Sequence, residues 1–201
     1  SCLYNFLKEF PFRSVNIIVM ADNVSDETKE KLEKESSGID IHYTSIGSSA
    51  GSFRNVFMDS LNLDDDTIVY FLENDYIHAP NAMNALFDGF DIGAHYVTLY
   101  DHPDKYISSY DYGEPTRVMK GNVCHWKMTI STTMTFAAKV LTLTEDKDIW
   151  IENTGGSYPT DHQAFTQLRE KGRTLVSPIP GYSTHGETAW LSPFRNWEMI
   201  I

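Results

Sequence analysis

Apolar positions recur along the chain with two periods, and the switches between them mark out short helices and strands. Leu3, Phe6, Leu7 and Phe10 stand at helical spacing, which predicts a helix from Cys2 to Phe10 that Pro11 stops. Val15 to Met20 is a run of β-forming residues and reads as a buried strand with Asp22 and Asn23 beyond its carboxyl end. Ser25 and Thr28 open a polar helix over Asp26 to Glu35, closed by Gly38, and Ile39 to Tyr43 alternates like a strand. The small-residue loop Gly47 to Ser52 leads into a helix whose apolar face is Phe53, Val56, Phe57 and Leu61.

The second half follows the same grammar, less regularly. Ile68 to Leu72 is unbroken apolar sequence after the acidic turn Asp64 to Asp66, and reads as a central strand covered on both faces. Pro80 sits where a helix can begin, with Met83, Leu86, Phe87 and Phe90 as its buried side, and Tyr96 to Tyr100 reads as a further strand. Tyr106 to Thr144, with Gly113, Gly121 and the threonine-rich Thr129 to Thr135, is β-rich and irregular and reads as a lid rather than a regular layer. Thr160 and Gln163 have capping-box spacing at the start of a helix that runs to Lys171 and ends at Gly172. Gly181 to Glu187 is loop-like. Strands alternating with helices predict an α/β domain with a mixed, mainly parallel sheet.

Composition narrows the partners. The 201 residues are 41% hydrophobic, enough for one sizeable core, so the expected organisation is a single domain over residues 1–201. Sixteen Lys and Arg against 28 Asp and Glu give a formal charge of −12, which repels a nucleic-acid backbone and means that an anionic ligand needs a metal. Cys2 and Cys124 form no C-x-x-C pair, which fits a reducing compartment such as the cytoplasm. No apolar run approaches the ~20 residues of a membrane span.

Chemistry concentrates at strand ends. Glu73, Asn74 and Asp75 leave the apolar run of residues 68–72, where ligands bind in open α/β sheets, and the two carboxylates suit a hard divalent cation. Against this stands a solvated turn. Backbone amides of the loop around Gly51, followed by Arg54 and Asn55, could meet a phosphate. Asp22 is either a turn residue or a base-binding acid. His185 is a loop histidine or a metal ligand, and Asp161 is explained equally by the helix field at a first turn.

The order of these pieces resembles the GT-A glycosyltransferases. Those enzymes run from a nucleotide-binding acidic turn, here Asp22 and Asn23, to an Ala-Arg-Asn-like helix start, here Phe53, Arg54 and Asn55 after Gly51. A D-x-D metal motif follows, here Glu73 to Asp75, then an x-E-D motif supplying the base, here Thr160 to His162, and a late histidine on the metal, here His185. Tyr96 to Tyr106 also resembles a subgroup of viral and bacterial surface-glycan transferases, including chlorella-virus capsid-glycosylating domains. The resemblance covers nearly the whole chain and departs from the pattern in three places. Glu73 replaces the first aspartate, Thr160 stands where glutamate is expected, and the strand that normally precedes the first helix either lies upstream of Ser1 or is replaced.

The resemblance implies a GT-A, Rossmann-like fold and sugar transfer from a nucleotide sugar, a UDP-sugar, to a glycan acceptor. It places Mn²⁺ or Mg²⁺ on Asp75 and His185, Asp161 as base, and donor contacts at Asp22, Asn23, Gly51, Arg54, Asn55, Glu73 and Asn74, with inversion of the anomeric centre. Two rival readings use other residues. A metal-dependent phosphoesterase would draw on Asp75, Asp101, His102 and His185, and a carbohydrate-binding module would use Trp126, Tyr182 and Trp190.

Overall fold

The computed structural model describes residues 1–11, 13–35, 38–107 and 116–200, so Gly113 of the irregular stretch lies outside the described residues. Helix α1 (Cys2–Glu9) is capped by Ser1, whose hydroxyl accepts from the Tyr4 amide at 3.3 Å. Strands β1 (Ile18–Asp22) and β2 (Asp40–Thr44) pair in parallel, with helix α2 (Asp26–Glu35) as the crossover that parallel neighbours require. The first strand therefore begins later than its apolar run, because pairing starts at Ile18 opposite Asp40, and Asp22 is its last paired residue. Helix α3 (Ser49–Ser60) absorbs the small-residue loop from Ser49 onward.

Next come β3 (Ile68–Phe71), β4 (Tyr76–His78), helix α4 (Ala82–Asp91), β5 (Tyr96–Val97), β6 (Val118–Lys120), β7 (His125–Thr129) and β8 (Phe136–Lys139). Helices α5 (Val140–Glu145), α6 (Lys147–Asn153) and α7 (Asp161–Glu170) precede β9 (Leu175–Ile179) and β10 (Ser183–His185). Six strands form one mixed sheet in the order β3-β8-β5-β9-β7-β6, while β1 pairs with β2, and β10 with β4, outside it.

Three expectations are corrected. Within the six-stranded sheet β5 and β9 run parallel, and the other neighbours are antiparallel, so the sheet is mixed without being mainly parallel. The apolar run at residues 68–72 ends the sheet order rather than occupying its centre, and Ile68, Val69 and Tyr70 are only partly buried. The stretch read as a lid supplies β6, β7 and β8, and β8 sits between β3 and β5. Its Phe-Ala-Ala-Lys sequence hides a strand because alanine has little strand preference of its own.

Alternation across this sheet feeds two cores. Tyr96, Phe136, Ala138 and Leu175 face one side, with Phe57 of α3, Trp150 of α6 and Phe165 of α7. Val97, Ala137 and Val176 face the other, with Phe10, Leu86 of α4 and Trp126. Helices thus cover both faces, which explains strands written as apolar runs. Phe136 and Trp150 stack at 4.7 Å, a contact worth about 0.5–1.5 kcal/mol beyond its buried area.

Helix starts differ from expectation in two places. The Thr160 hydroxyl donates to Asn153, at 2.8 Å to Oδ1, so the expected capping box does not form and Thr160 fastens α7 to the end of α6. Pro80 lies before α4 rather than in its first turn. Asn81, at φ 69°, intervenes, the left-handed backbone being one that asparagine tolerates.

Candidate functional site

Chain leaving β3 turns through Glu73 and Asn74 and re-enters as β4, which pairs antiparallel with β10 so that Tyr76 lies opposite His185. This pairing joins residues more than a hundred positions apart. The Gly186 amide extends it by donating to the Asp75 carbonyl at 2.7 Å, and a Cβ at Gly186 would meet that oxygen at 2.9 Å. A glycine there allows the two backbones to touch, and His185 consequently stands over Asp75.

The His185 Nε2 lies 3.0 Å from Asp75 Oδ2. Its Nδ1 accepts from the Glu187 amide at 3.2 Å, which puts the ring proton of neutral His185 on Nε2, facing the carboxylate. Asp75 Oδ1 is shielded from solvent and has no hydrogen-bond partner. The Asp75 side chain as a whole is 49% exposed, so water reaches the carboxylate from outside, and a cation would suit the shielded oxygen on its inner side. Among the described residues no three His, Cys, Asp or Glu side chains converge as a metal cage, so Asp75 and His185 stand as a pair. Carboxylate plus imidazole fits Mn²⁺ better than Mg²⁺, which holds to oxygen ligands. Ligation through Nε2 would move the ring proton to Nδ1, and the Glu187 amide would then have to turn away.

Glu73 and Asp161 complete an acidic recess. Crowding by protein around the Glu73 carboxyl, and then the charges of Asp75 and Asp161, push its pKa up to about 7, although the residue's outer side is open to water. Its amide donates to Thr135 Oγ1 at 3.3 Å, and Tyr76 OH bonds Thr133 Oγ1 at 2.8 Å, so the threonine-rich stretch forms one wall. Asp161 opens α7 and accepts from the His162 amide at 2.7 Å. Its pKa is raised, because burial outweighs the lowering by the His162 amide, His162 and His102. Electrostatics thus link Glu73 to Asp75 and to Asp161, with His185 on Asp75, and these four residues make up the acidic recess; Asn74 is exposed beside Glu73.

The proposed donor-binding residues of the first half sit in a different chemical state. Burial tends to raise the Asp22 pKa, but hydrogen bonds from the Gly47 and Ile46 amides and from Thr44 and Ser52 prevail and lower it. Those bonds, 2.6 Å from Ile46 and 2.8 Å from Gly47, close the loop from β2 onto β1. The Gly51 amide donates to the capping Ser48 hydroxyl at 3.2 Å and the Ala50 amide to the Ser157 carbonyl at 3.3 Å, so the loop does not hold out these donors to an anion. Gly51 is needed for packing, since a Cβ would meet Ile46 at 2.5 Å. Arg54 reaches α6 rather than open space, donating to the Ile151 carbonyl at 2.7 Å and to Thr154 at 3.2 Å. Asn23 is exposed in a left-handed turn at φ 51°, and Asn55 is partly buried on α3.

Residues of the rival readings are gathered only in part. Asp101 is fully buried and pairs with Lys127 at 2.5 Å and Tyr106 OH at 2.6 Å, so it does not join Asp75. Trp126 is fully buried with its indole N–H on Asp88, and Tyr182 lies under the Arg195 guanidinium, which leaves Trp190 of that trio as an open ring. The sequence reading passed over one neighbour of the recess in any role beside Asp161. His102 pairs with Asp104 at 2.7 Å and acts electrostatically on Asp161. Its position after the β5 segment, like that of Glu73 after β3, was the signal that could have linked the two.

No family model matches the chain, and no curated protein does. Among solved structures the chain is similar to the crystal structure of A197 from STIV, at 10% identity and a TM-score of 0.47, over 90% of this chain and 92% of that one. At that score and identity the likeness assigns neither a family nor an activity.

Proposed function

We propose that this chain is a GT-A glycosyltransferase domain that transfers a sugar from a nucleotide-sugar donor, a UDP-sugar, to a glycan hydroxyl with inversion. The observation that carries the reading is the unpaired Asp75 Oδ1 beside His185, with a second acid, Glu73, within electrostatic reach of both Asp75 and a third acid, Asp161. Asp75 and His185 would hold Mn²⁺, or Mg²⁺, and the cation when bound neutralises charge developing on a departing diphosphate. A two-ligand protein site is what a substrate-bridged cation uses, the remaining ligands being phosphate and water.

The chain's own residues do the rest. Asp161, made more basic by burial, accepts the proton of the acceptor hydroxyl, a contribution of about 10²–10⁴ in rate. Attack from the side opposite the leaving group inverts the anomeric centre. Glu73 keeps the recess acidic and is half-protonated near neutral pH, so it holds or releases a proton as charge in the recess changes. Arg54 positions the α6–α7 connection that leads into Asp161.

Thermal denaturation with UDP-glucose, UDP-galactose, UDP-N-acetylglucosamine and GDP-mannose, each with and without Mn²⁺, tests the reading. A specific ligand at a hundred times its Kd adds about 2.7 kcal/mol, so a metal-dependent rise with one UDP-sugar is expected. No metal-dependent rise with any of the four would contradict it, and release of phosphate rather than nucleoside diphosphate would favour hydrolysis.

A further inference from the structure

Beyond β10 the chain is pinned at several points yet displays aromatic rings to solvent. Tyr100 OH donates to the Trp190 carbonyl at 2.7 Å, the Ser192 amide to Thr184 Oγ1 at 2.7 Å, and Trp197 Nε1 to the Ser192 carbonyl at 2.8 Å. Arg195 donates to the Gly181 carbonyl at 2.9 Å and lies over the Tyr182 ring. Within this tied segment Phe194 adopts φ 66°, a left-handed conformation that is an outlier for a bulky residue, and its ring is 68% exposed. Folding alone gives no reason to hold an open phenyl ring there, and strain of this kind gathers at binding sites.

Phe194 meets Tyr106 edge to face at 5.0 Å, and Tyr106 is fixed by its hydroxyl on Asp101 with Lys127 over its ring at 4.2 Å. Trp190 lies 5.4 Å from His102. From there ring contacts run without a break into the acidic recess, from His102 to Tyr100 at 5.0 Å, Tyr100 to Tyr76 at 5.3 Å, and Tyr76 to His185 at 5.4 Å. Tyr100 and Tyr76 are buried, so this chain is packing beneath the surface, and at the surface His102 links the open rings to the acidic group through its effect on Asp161.

We infer that Tyr106, Trp190 and Phe194 form a platform for the pyranose rings of a glycan acceptor, beside His102 on the flank of the recess. This deepens the transferase reading and rests on it for the word acceptor. Rings present flat apolar faces to the C–H face of a sugar, and the neighbouring turn holds His102, Asp104 and Lys105, partly buried and paired with one another. The open area of the three rings is roughly 300 Å², taking typical aromatic side-chain areas. A stable protein partner needs about 800 Å² per side, whereas one or two sugar rings match the platform.

The test is saturation-transfer NMR of the whole chain with cellotriose, chitotriose and mannotriose, without donor or metal. Phe194→Asn removes the ring while keeping a residue that tolerates the left-handed backbone, and Trp190→Ala is the second variant. At least one trisaccharide should bind the wild type, with affinity falling roughly five- to tenfold in each variant and unchanged titration of UDP with Mn²⁺. Binding of none of the three, wild-type affinity in both variants, or a wild-type dimer that both variants lose would overturn the platform. Because UDP and Mn²⁺ are titrated separately, failure of the transferase reading appears in that second titration alone.

Discussion

The two ends of the resemblance carry similar residues in opposite states. At the β1–β2 end, Asp22, Gly51 and Arg54 are bonded to protein groups, and each closes a loop or joins two helices. At the β4–β10 end, Asp75 keeps an oxygen without a partner, Glu73 has been driven toward neutrality, and Asp161 has been made more basic by burial. Carboxylates that are fully hydrogen-bonded stabilise a fold. Carboxylates crowded together destabilise it, and a cation or a proton is what relieves such crowding.

The largest effect that could break this comparison is catalytic. Asp161→Asn keeps the shape and the first-turn position while removing the proton acceptor, so kcat should fall by about 10²–10⁴ with the donor Kd nearly unchanged. Near-normal kcat, or an anomeric configuration retained in the product, would return Asp161 to a helix-start role. Arg54→Ala comes next, and its effect should be on stability. Losing a charged donor to a part-buried carbonyl costs up to about 1.5–3 kcal/mol, read as a lower denaturant midpoint at unchanged slope. A variant of wild-type stability with a strongly raised donor KM would instead make Arg54 a ligand contact.

The smallest effect is a pH slope. Glu73 has a folded pKa of about 7 against 4.5 for its ordinary value, so between these limits the folded state binds more protons than the unfolded one. Its contribution to stability is complete below the unfolded pKa and is lost as pH rises through the folded pKa. Metal-free protein should therefore lose stability between about pH 4.5 and 7 relative to Glu73→Gln, and Mn²⁺ should reduce that difference by drawing the pKa down. Parallel pH profiles of the two proteins without metal would remove Glu73 from the recess.

Much of this contrast was legible in the chain and part was not. The α2 boundaries, the helix beginning at Asp161 and the carboxylates at a strand end follow from capping residues and periodicity, which act locally. Sheet direction did not follow, because it depends on β8, whose Ala137 and Ala138 are buried by the layers around them rather than by preference. Nor could the sequence say which acids are bonded. Asp22 and Asp75 both follow apolar runs, and what separates them is that Ile46 and Gly47 fold back onto one while Gly186 brings an imidazole over the other.

The central claim is that the unpaired acids, and not the bonded ones, hold the metal with the donor diphosphate. Electron paramagnetic resonance titration of Mn²⁺ in the presence of UDP tests it most directly, on wild type, Asp75→Asn and Asp22→Asn. The account predicts one UDP-dependent Mn²⁺ per chain in the wild type, lost in Asp75→Asn and retained by folded Asp22→Asn. A UDP-dependent Mn²⁺ that survives Asp75→Asn, or one that disappears in folded Asp22→Asn alone, would contradict it.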